Sequence, residues 1–203
     1  MNQINIAGNK VAPSKVVCIG RNYVEHIKEL NNEMPDQAVI FIKPNSAISN
    51  EIVSDANEPI HYEAELCFVI EAQTITAVGF GLDLTKRAVQ TKLKEKGLPW
   101  ERAKAFDKSA VFSDFLPFSG EIETVSLQLF IDGELIQHAD YQLMIHKPED
   151  IIQEVNSFMS FCDGDILMTG TPKGVGIVNQ DSTFLGRVYQ GDELLIEQQW
   201  KVL

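Results

Sequence analysis

Apolar residues fall in short runs or alternate along most of the chain, and only a few stretches change to helical spacing. Lys15–Gly20 (KVVCIG) is a compact apolar run with β-branched residues and a closing glycine, which predicts a buried strand. In the following RNYVEHIKELNNE, Tyr23, His26, Ile27 and Leu30 recur three and four apart, so about two helical turns are predicted. Ala38–Pro44 (AVIFIKP) reads as a strand stopped by proline, and PNSAISNEIVSDANEP as loop with short strand. Ile60–Ile70 (IHYEAELCFVI) alternates over its first half and is rich in β-branched and aromatic residues, as a strand entering the core would be. Ala77–Leu84 (AVGFGLDL) is a further strand candidate. Thr85 is then placed to cap a helix over KRAVQTKLKEKG, with Gly97 as its stop. Leu98 to Pro117 reads as irregular, with KSAVF a possible strand. VSLQLFIDGELIQ is a hairpin turning at Asp132-Gly133, and PEDIIQEVNSFM opens on Pro148 as a helix does. GDILMTGTP, KGVGIV and GDELLIEQQWKVL read as strands and glycine-rich turns. A few helices set irregularly among many short strands predict one mainly β (α+β) domain over residues 1–203, not a doubly wound sheet.

Composition narrows the function classes. No apolar run reaches the roughly 18 residues of a membrane span, and MNQINIAGNKVAPSK has no apolar stretch behind its lysine, so neither a membrane protein nor a secretory signal is expected. Seventeen Lys and Arg against 29 Asp and Glu give a net charge of −12, which repels phosphate backbones and makes nucleic acid a poor partner. That balance says little about small substrates, because one local cation reverses the field inside a pocket. The three cysteines, Cys18, Cys67 and Cys162, are odd in number and far apart in apolar settings. They are expected as buried thiols in a reducing cytoplasm.

Several residues have spacing that chemistry uses. Glu63 and Glu65 are two apart in a predicted strand and would share one face, where two carboxylates repel unless a cation or proton intervenes. An edge strand with both glutamates in water fits the same spacing. Asp83 falls where a strand turns into a helix; it serves either as a third oxygen ligand or as an acidic residue at the helix start. Three carboxylates without histidine or cysteine suit a hard ion such as Mg²⁺ or Mn²⁺. Arg87 and Gln90, three apart, would share a helix face turned to the same pocket or to solvent. His26 and Glu29, also three apart, have the spacing of a base and its orienting carboxylate, or of an exposed contact. The other histidines have no comparable partner. Lys104, in ERAKAFDKSAV, says nothing by itself. Thr169–Gly176 (TGTPKGVG) packs glycines and hydroxyls as a loop approaching a ligand would, though a tight structural turn needs the same residues.

Taken together and in order, GRNYVEH, YEAELCFVI, GFGLDLTKRAVQ, GLPWERAKAFD and DILMTGTPKGVG resemble the fumarylacetoacetate hydrolase family, most closely its short single-domain acylpyruvate hydrolase and oxaloacetate decarboxylase branch. The resemblance runs from about Val16 to the C-terminus. It implies a rolled, mixed β-sheet with a few short helices, a homodimer, and Mg²⁺ or Mn²⁺ held by Glu63, Glu65 and Asp83. It further implies His26 and Glu29 as a water-activating pair on a segment that closes over ligand, and Lys104 as a catalytic lysine near the metal. Arg21, Arg87, Gln90 and Thr171 would line the substrate site. The implied reaction is metal-dependent cleavage of a C–C bond in 2,4-dioxo acids of the fumarylpyruvate and acetylpyruvate class. Oxaloacetate decarboxylation or tautomerisation and isomerisation of unsaturated 2-oxo diacids are the alternatives. A non-catalytic 2-oxo acid binding protein is the reading from another class, against which the His26/Glu29 pair argues.

Overall fold

The computed structural model describes every residue except Asn32 and Pro35. In chain order its strands are β1 (Ile4–Ile6), β2 (Asn9–Val11), β3 (Lys15–Gly20), β4 (Val39–Pro44), β5 (Ile48–Ser49), β6 (His61–Tyr62), β7 (Ala64–Glu71), β8 (Thr74–Asp83), β9 (Ala110–Phe112), β10 (Leu116–Pro117), β11 (Val125–Ile131), β12 (Glu134–Asp140), β13 (Asp165–Met168), β14 (Gly176–Ile177), β15 (Thr183–Gln190) and β16 (Glu193–Lys201). The α-helices are α1 (Val24–Glu29), α2 (Arg87–Glu95), α3 (Glu101–Lys104) and α4 (Pro148–Asn156).

The larger sheet runs β4-β3-β13-β7-β8-β9-β5, with β10 on β8. It is mixed: β3 with β13 and β5 with β9 are parallel, the other pairs antiparallel. A second, wholly antiparallel sheet runs β12-β11-β15-β16. Strand periodicity divides the interior in two. Val17 and Ile19 of β3, Leu66, Phe68 and Ile70 of β7, Phe80 and Leu82 of β8 and Leu167 of β13 pack toward the second sheet, against Leu127, Leu129, Phe184 and Trp200. The alternate residues, Val16, Cys18, Cys67, Val69, Ile166 and Met168, face the other way and are covered by Ile4, Phe112 and Phe115. Gly79 and Gly81 lie on this second face, where a side chain would not fit. A Cβ at Gly81 would lie 2.4 Å from Cys67 Sγ, and one at Gly79 2.6 Å from the Phe115 ring.

Most predicted elements fall where their patterns put them. The β11–β12 hairpin turns at Asp132 and Gly133, both with positive φ (50° and 90°), and α4 begins on Pro148 with Glu149 and Asp150 in its first turn. The two helical turns expected in RNYVEHIKELNNE are present as the six-residue α1, and Asn32 of that stretch lies outside the described residues. Several other expectations need correction. Thr85 does not cap α2: Lys86 holds that position with no side-chain cap, because the Thr85 hydroxyl is drawn inward to Lys104. The segment read as irregular contains α3, a single turn of four good helix formers (ERAK), too short for apolar periodicity to announce. Residues 4–11 form a hairpin, β1–β2, that the pattern did not announce. Cys162 is exposed while Cys18 and Cys67 are buried. His138 does have a carboxylate neighbour, Asp140, at 3.6 Å on the surface.

Candidate active site

The sheet brings the acidic residues to one face at one end. Glu65 of β7 pairs with Gly81 of β8, and the Asp83 amide donates to the Glu63 carbonyl (2.8 Å), so Glu63 stands across from Asp83. Alternation then points Glu63, Glu65 and Asp83 to the face that carries Gly81 and Cys67, beyond the end of the apolar cluster. All three are buried, and a carboxylate oxygen from each lies within 4.8 Å of the others.

Cations surround two members of this triad. Lys104 Nζ, delivered by α3, donates to Glu63 Oε2 (2.8 Å), Asp83 Oδ2 (2.6 Å) and Thr85 Oγ1 (2.6 Å), and lies 5.0 Å from the Phe41 ring centroid. Arg87 joins Glu63 Oε1 through one Nη and Gln90 Oε1 through the other (2.7 Å). Lys43, on β4, is shut off from solvent; its ammonium pairs with Asp83 Oδ1 at 2.8 Å and donates to the carbonyls of Leu84 (3.3 Å) and Lys104.

Burial would raise the Glu63 carboxyl, but Lys104 and Arg87 outweigh it and hold Glu63 well below the usual carboxylate range. Burial likewise opposes the charge of Lys104, and Asp83 and Glu63 overcome it, so its pKa lies above the ordinary lysine value. Glu65 goes the other way. Among the described residues its Oε2 accepts the Gly170 amide alone (2.7 Å), and burial, then Asp83 and Glu63, push its carboxyl well up. These residues fit a divalent cation. Three hard oxygen donors converge, and the repulsion that raises Glu65 is the cost such an ion removes. The ion would share Glu63 and Asp83 with the Lys104 ammonium.

Above the triad, α1 presents His26, whose Nδ1 is 3.1 Å from Glu29 Oε2. The other Glu29 oxygen accepts the Gly174 amide (3.0 Å), which ties α1 to the glycine-rich loop. That loop needs its glycines. Gly170 has φ 92°, and a Cβ there would meet Asn22 Cβ at 2.8 Å; Gly174 has φ 101°, with the Ile136 carbonyl oxygen 2.4 Å from a Cβ. Thr171 is buried and accepts from Gln137 Nε2 (2.9 Å), while Gln137 Oε1 accepts the Ala64 amide (3.0 Å). Asn22 Nδ2 donates to the carbonyls of His146 (2.9 Å) and Thr169 (2.8 Å), which fixes the approach to α1.

The candidate metal, catalytic and substrate residues read from the sequence come together around one cavity. Arg21, His26, Glu63, Glu65, Arg87, Gln90, Lys104 and Thr171 line it, and Asp83 and Glu29 stand directly behind. Its volume is about 40 Å³, room for an ion or a water. Arg21 sits in the left-handed region (φ 58°), its Nη1 donating to the Glu33 carbonyl (3.4 Å). Sequence reasoning missed Lys43, Asn22, Gln137 and Lys94. Gln137 left a signal: it is a polar residue sharing strand parity with Leu135 and Ala139.

Comparison with known proteins places the chain among relatives of the same fold. Residues 15–199 match the family profile described as the fumarylacetoacetate hydrolase C-terminal domain. The oxaloacetate tautomerase YcgM of Escherichia coli is 41% identical over 182 residues, covering 80% of this chain and 83% of that protein. The mitochondrial oxaloacetate tautomerase oaa1 of Schizosaccharomyces pombe is 34% identical over 199 residues, covering 88% and 90%. Among solved structures, fumarylpyruvate hydrolase from Pseudomonas aeruginosa, in complex with Mn²⁺ and pyruvate, superposes with a TM-score of 0.89 at 29% identity, covering 100% of this chain and 95% of that one. The chain belongs to the fumarylacetoacetate hydrolase family.

Proposed function

We propose that this protein is a divalent-metal-dependent oxaloacetate tautomerase, acting through residues 1–203 as one catalytic domain and working as a homodimer. The observation that carries the reading is the convergence of three buried carboxylates beneath the His26–Glu29 pair. The relatives that share 34% to 41% of their residues with this chain, and are named for oxaloacetate tautomerisation, support that reaction over acylpyruvate hydrolysis, the reaction first expected from the sequence.

Tautomerisation moves one proton: it leaves C3 of oxaloacetate, and one reaches the 2-oxo oxygen. A divalent cation held by Glu63, Glu65 and Asp83 would supply Lewis acidity toward the 2-oxo acid end of the substrate. His26 is the proton carrier for C3. Glu29, bonded to Nδ1, fixes the tautomer that leaves Nε2 to accept and return the proton. Lys104 supplies positive charge, and a proton, where the enol oxygen forms; the carboxylates around it keep it protonated until that moment. Arg87, Gln90 and Thr171 orient the substrate carboxylate. No water needs to be activated, which is the difference from a hydrolase.

Acylpyruvate hydrolysis is the second reading, supported by the pyruvate and Mn²⁺ held by the fumarylpyruvate hydrolase of matching fold. There His26 would deprotonate a water instead of C3. A panel of oxaloacetate, acetylpyruvate and fumarylpyruvate, assayed with Mg²⁺, with Mn²⁺ and with chelator, separates the two. Enol–keto interconversion of oxaloacetate without C–C cleavage is expected. Faster release of pyruvate from either acylpyruvate than interconversion of oxaloacetate would refute tautomerisation as the main activity.

A further inference from the structure

Strand β12 departs from regular pairing beside the site. Leu129 of β11 faces Gln137 but Phe130 faces Leu135, so Ile136 is an extra residue on β12, a β-bulge of the kind that re-aims neighbouring side chains. The bulged strand lies against the glycine-rich loop: a Cβ at Gly174 would be 2.4 Å from the Ile136 carbonyl oxygen and 3.2 Å from Gln137 Cγ. Gln137, only 1% exposed, spans the gap between that loop and β7. Its Oε1 accepts the amide of Ala64, the residue between Glu63 and Glu65 (3.0 Å). Its Nε2 donates to Thr171 Oγ1 (2.9 Å) and the Pro172 carbonyl (3.0 Å), with the Lys173 carbonyl at 3.4 Å.

The backbone fixes which way round this side-chain amide lies. A peptide N–H only donates and a carbonyl only accepts, so Oε1 faces Ala64 and Nε2 faces Pro172. The amide nitrogen is a donor and not an acceptor, so Thr171 Oγ1 accepts from it and the hydroxyl hydrogen points elsewhere. Among the described residues that hydrogen has no acceptor, and Thr171 lines the cavity.

We propose that Gln137 is a positioning residue: by making Thr171 an acceptor, it turns the hydroxyl hydrogen into the cavity as a donor for the substrate carboxylate. This deepens the proposed function and rests on its placing the substrate beside Thr171. Without the side-chain amide, the buried Pro172 carbonyl loses its donor. Hydroxyl and carbonyl both accept from the same nitrogen and are therefore neighbours, so the released hydroxyl turns to the carbonyl and away from the substrate.

The test is a double-mutant cycle on ligand binding. Oxalate, whose paired oxygens mimic an enolised 2-oxo acid, is titrated calorimetrically into Mn²⁺-loaded wild type, Thr171→Val, Gln137→Met and the double variant. Thr171→Val should weaken oxalate about tenfold in the wild-type background, the worth of one hydrogen bond to a charged group. Gln137→Met should weaken it by a similar factor, and adding Thr171→Val should then cost less than about twofold more. Mn²⁺ affinity without oxalate should stay within about threefold of wild type throughout, which separates positioning from a general structural role. If Gln137→Met does not bind Mn²⁺, Gln137→Leu carries the cycle. Losses that multiply overturn the proposal, as does full oxalate affinity in Gln137→Met. Loss of Mn²⁺ binding in both Gln137 variants also overturns it, because Gln137 would then hold the ligand strand and not the hydroxyl. Interconversion of enol-oxaloacetate by wild type is measured alongside. Its absence with the predicted coupling overturns the tautomerase reading alone, and multiplying losses beside an active wild type overturn the role of Gln137 alone. Wild type that binds no oxalate overturns the substrate site and this inference together.

Discussion

Lys43 offers the sharpest test of how fold and site share one charge network. The substitution Lys43→Met keeps the length and most of the volume of the side chain, so no large cavity opens. What it removes is the ammonium that pairs with Asp83 Oδ1 at 2.8 Å and donates to the Leu84 and Lys104 carbonyls, with no solvent to replace it. Breaking a buried pair from one side costs about 3–5 kcal/mol, and unpaired carbonyls add to this while the apolar tip recovers part. The net expectation is a destabilisation of about 4 kcal/mol, or roughly 8–16 °C in Tm for a chain of this size. Urea and thermal unfolding of wild type, Lys43→Met, Asp83→Asn and the double variant, all with chelator present, measure it. Asp83→Asn should cost less in the Lys43→Met background than in wild type, because it removes the carboxylate left unpaired, with coupling of at least about 1 kcal/mol. A Lys43→Met protein within about 1 kcal/mol of wild type, or strictly additive variants, would refute the reasoning.

Two further outcomes probe the frame that holds the site. Asp165, buried on β13, accepts from the Ser14 and Cys162 amides (2.8 Å each), the Ser14 hydroxyl (2.7 Å), the Lys15 amide (3.1 Å) and the Lys15 ammonium. Burial works to raise its carboxyl, but the Lys15 ammonium, the Cys162 amide and the Ser14 hydroxyl hold it below the usual value. Stability from this depressed group is fully present above the unfolded pKa, about 3.9, and is lost as pH falls through the lower folded value. Asp165→Asn should therefore be less stable than wild type by about 3 kcal/mol near neutrality, with the gap narrowing below about pH 4 in unfolding titrations; a gap independent of pH would contradict this. Gly81→Ala pushes a methyl onto Cys67 Sγ and the Phe112 ring, and should destabilise by about 1–3 kcal/mol while weakening metal binding through displaced Glu65; calorimetric titration with Mn²⁺ reads the second effect, and unaltered affinity would show that β7 does not carry the strain to the triad.

The parts of the site that could be read from sequence are those set by local periodicity. Two-residue spacing put Glu63 and Glu65 on one face, three-residue spacing put Glu29 beside His26 and Gln90 beside Arg87, and the end of β8 placed Asp83. Lys104 was opaque because its position depends on α3, a single turn that pattern does not specify. Lys43 was opaque for another reason. VIFIKP is apolar on both strand faces, so nothing in it says that the lysine shares the inward face of Phe41. Thr85 was misread because a threonine before a helix is ordinarily a cap, and here a buried ammonium competes for its hydroxyl.

The most direct measurement of the central claim is the rate at which the ultraviolet absorbance of enol-oxaloacetate decays, with carbon dioxide and pyruvate quantified in the same sample, for wild type and His26→Asn. Rapid metal-dependent decay that chelation abolishes is expected, without matching release of pyruvate, and with a loss of about 10²–10⁴-fold in His26→Asn while Mn²⁺ stays bound. Undiminished decay after chelation or in His26→Asn would contradict the claim.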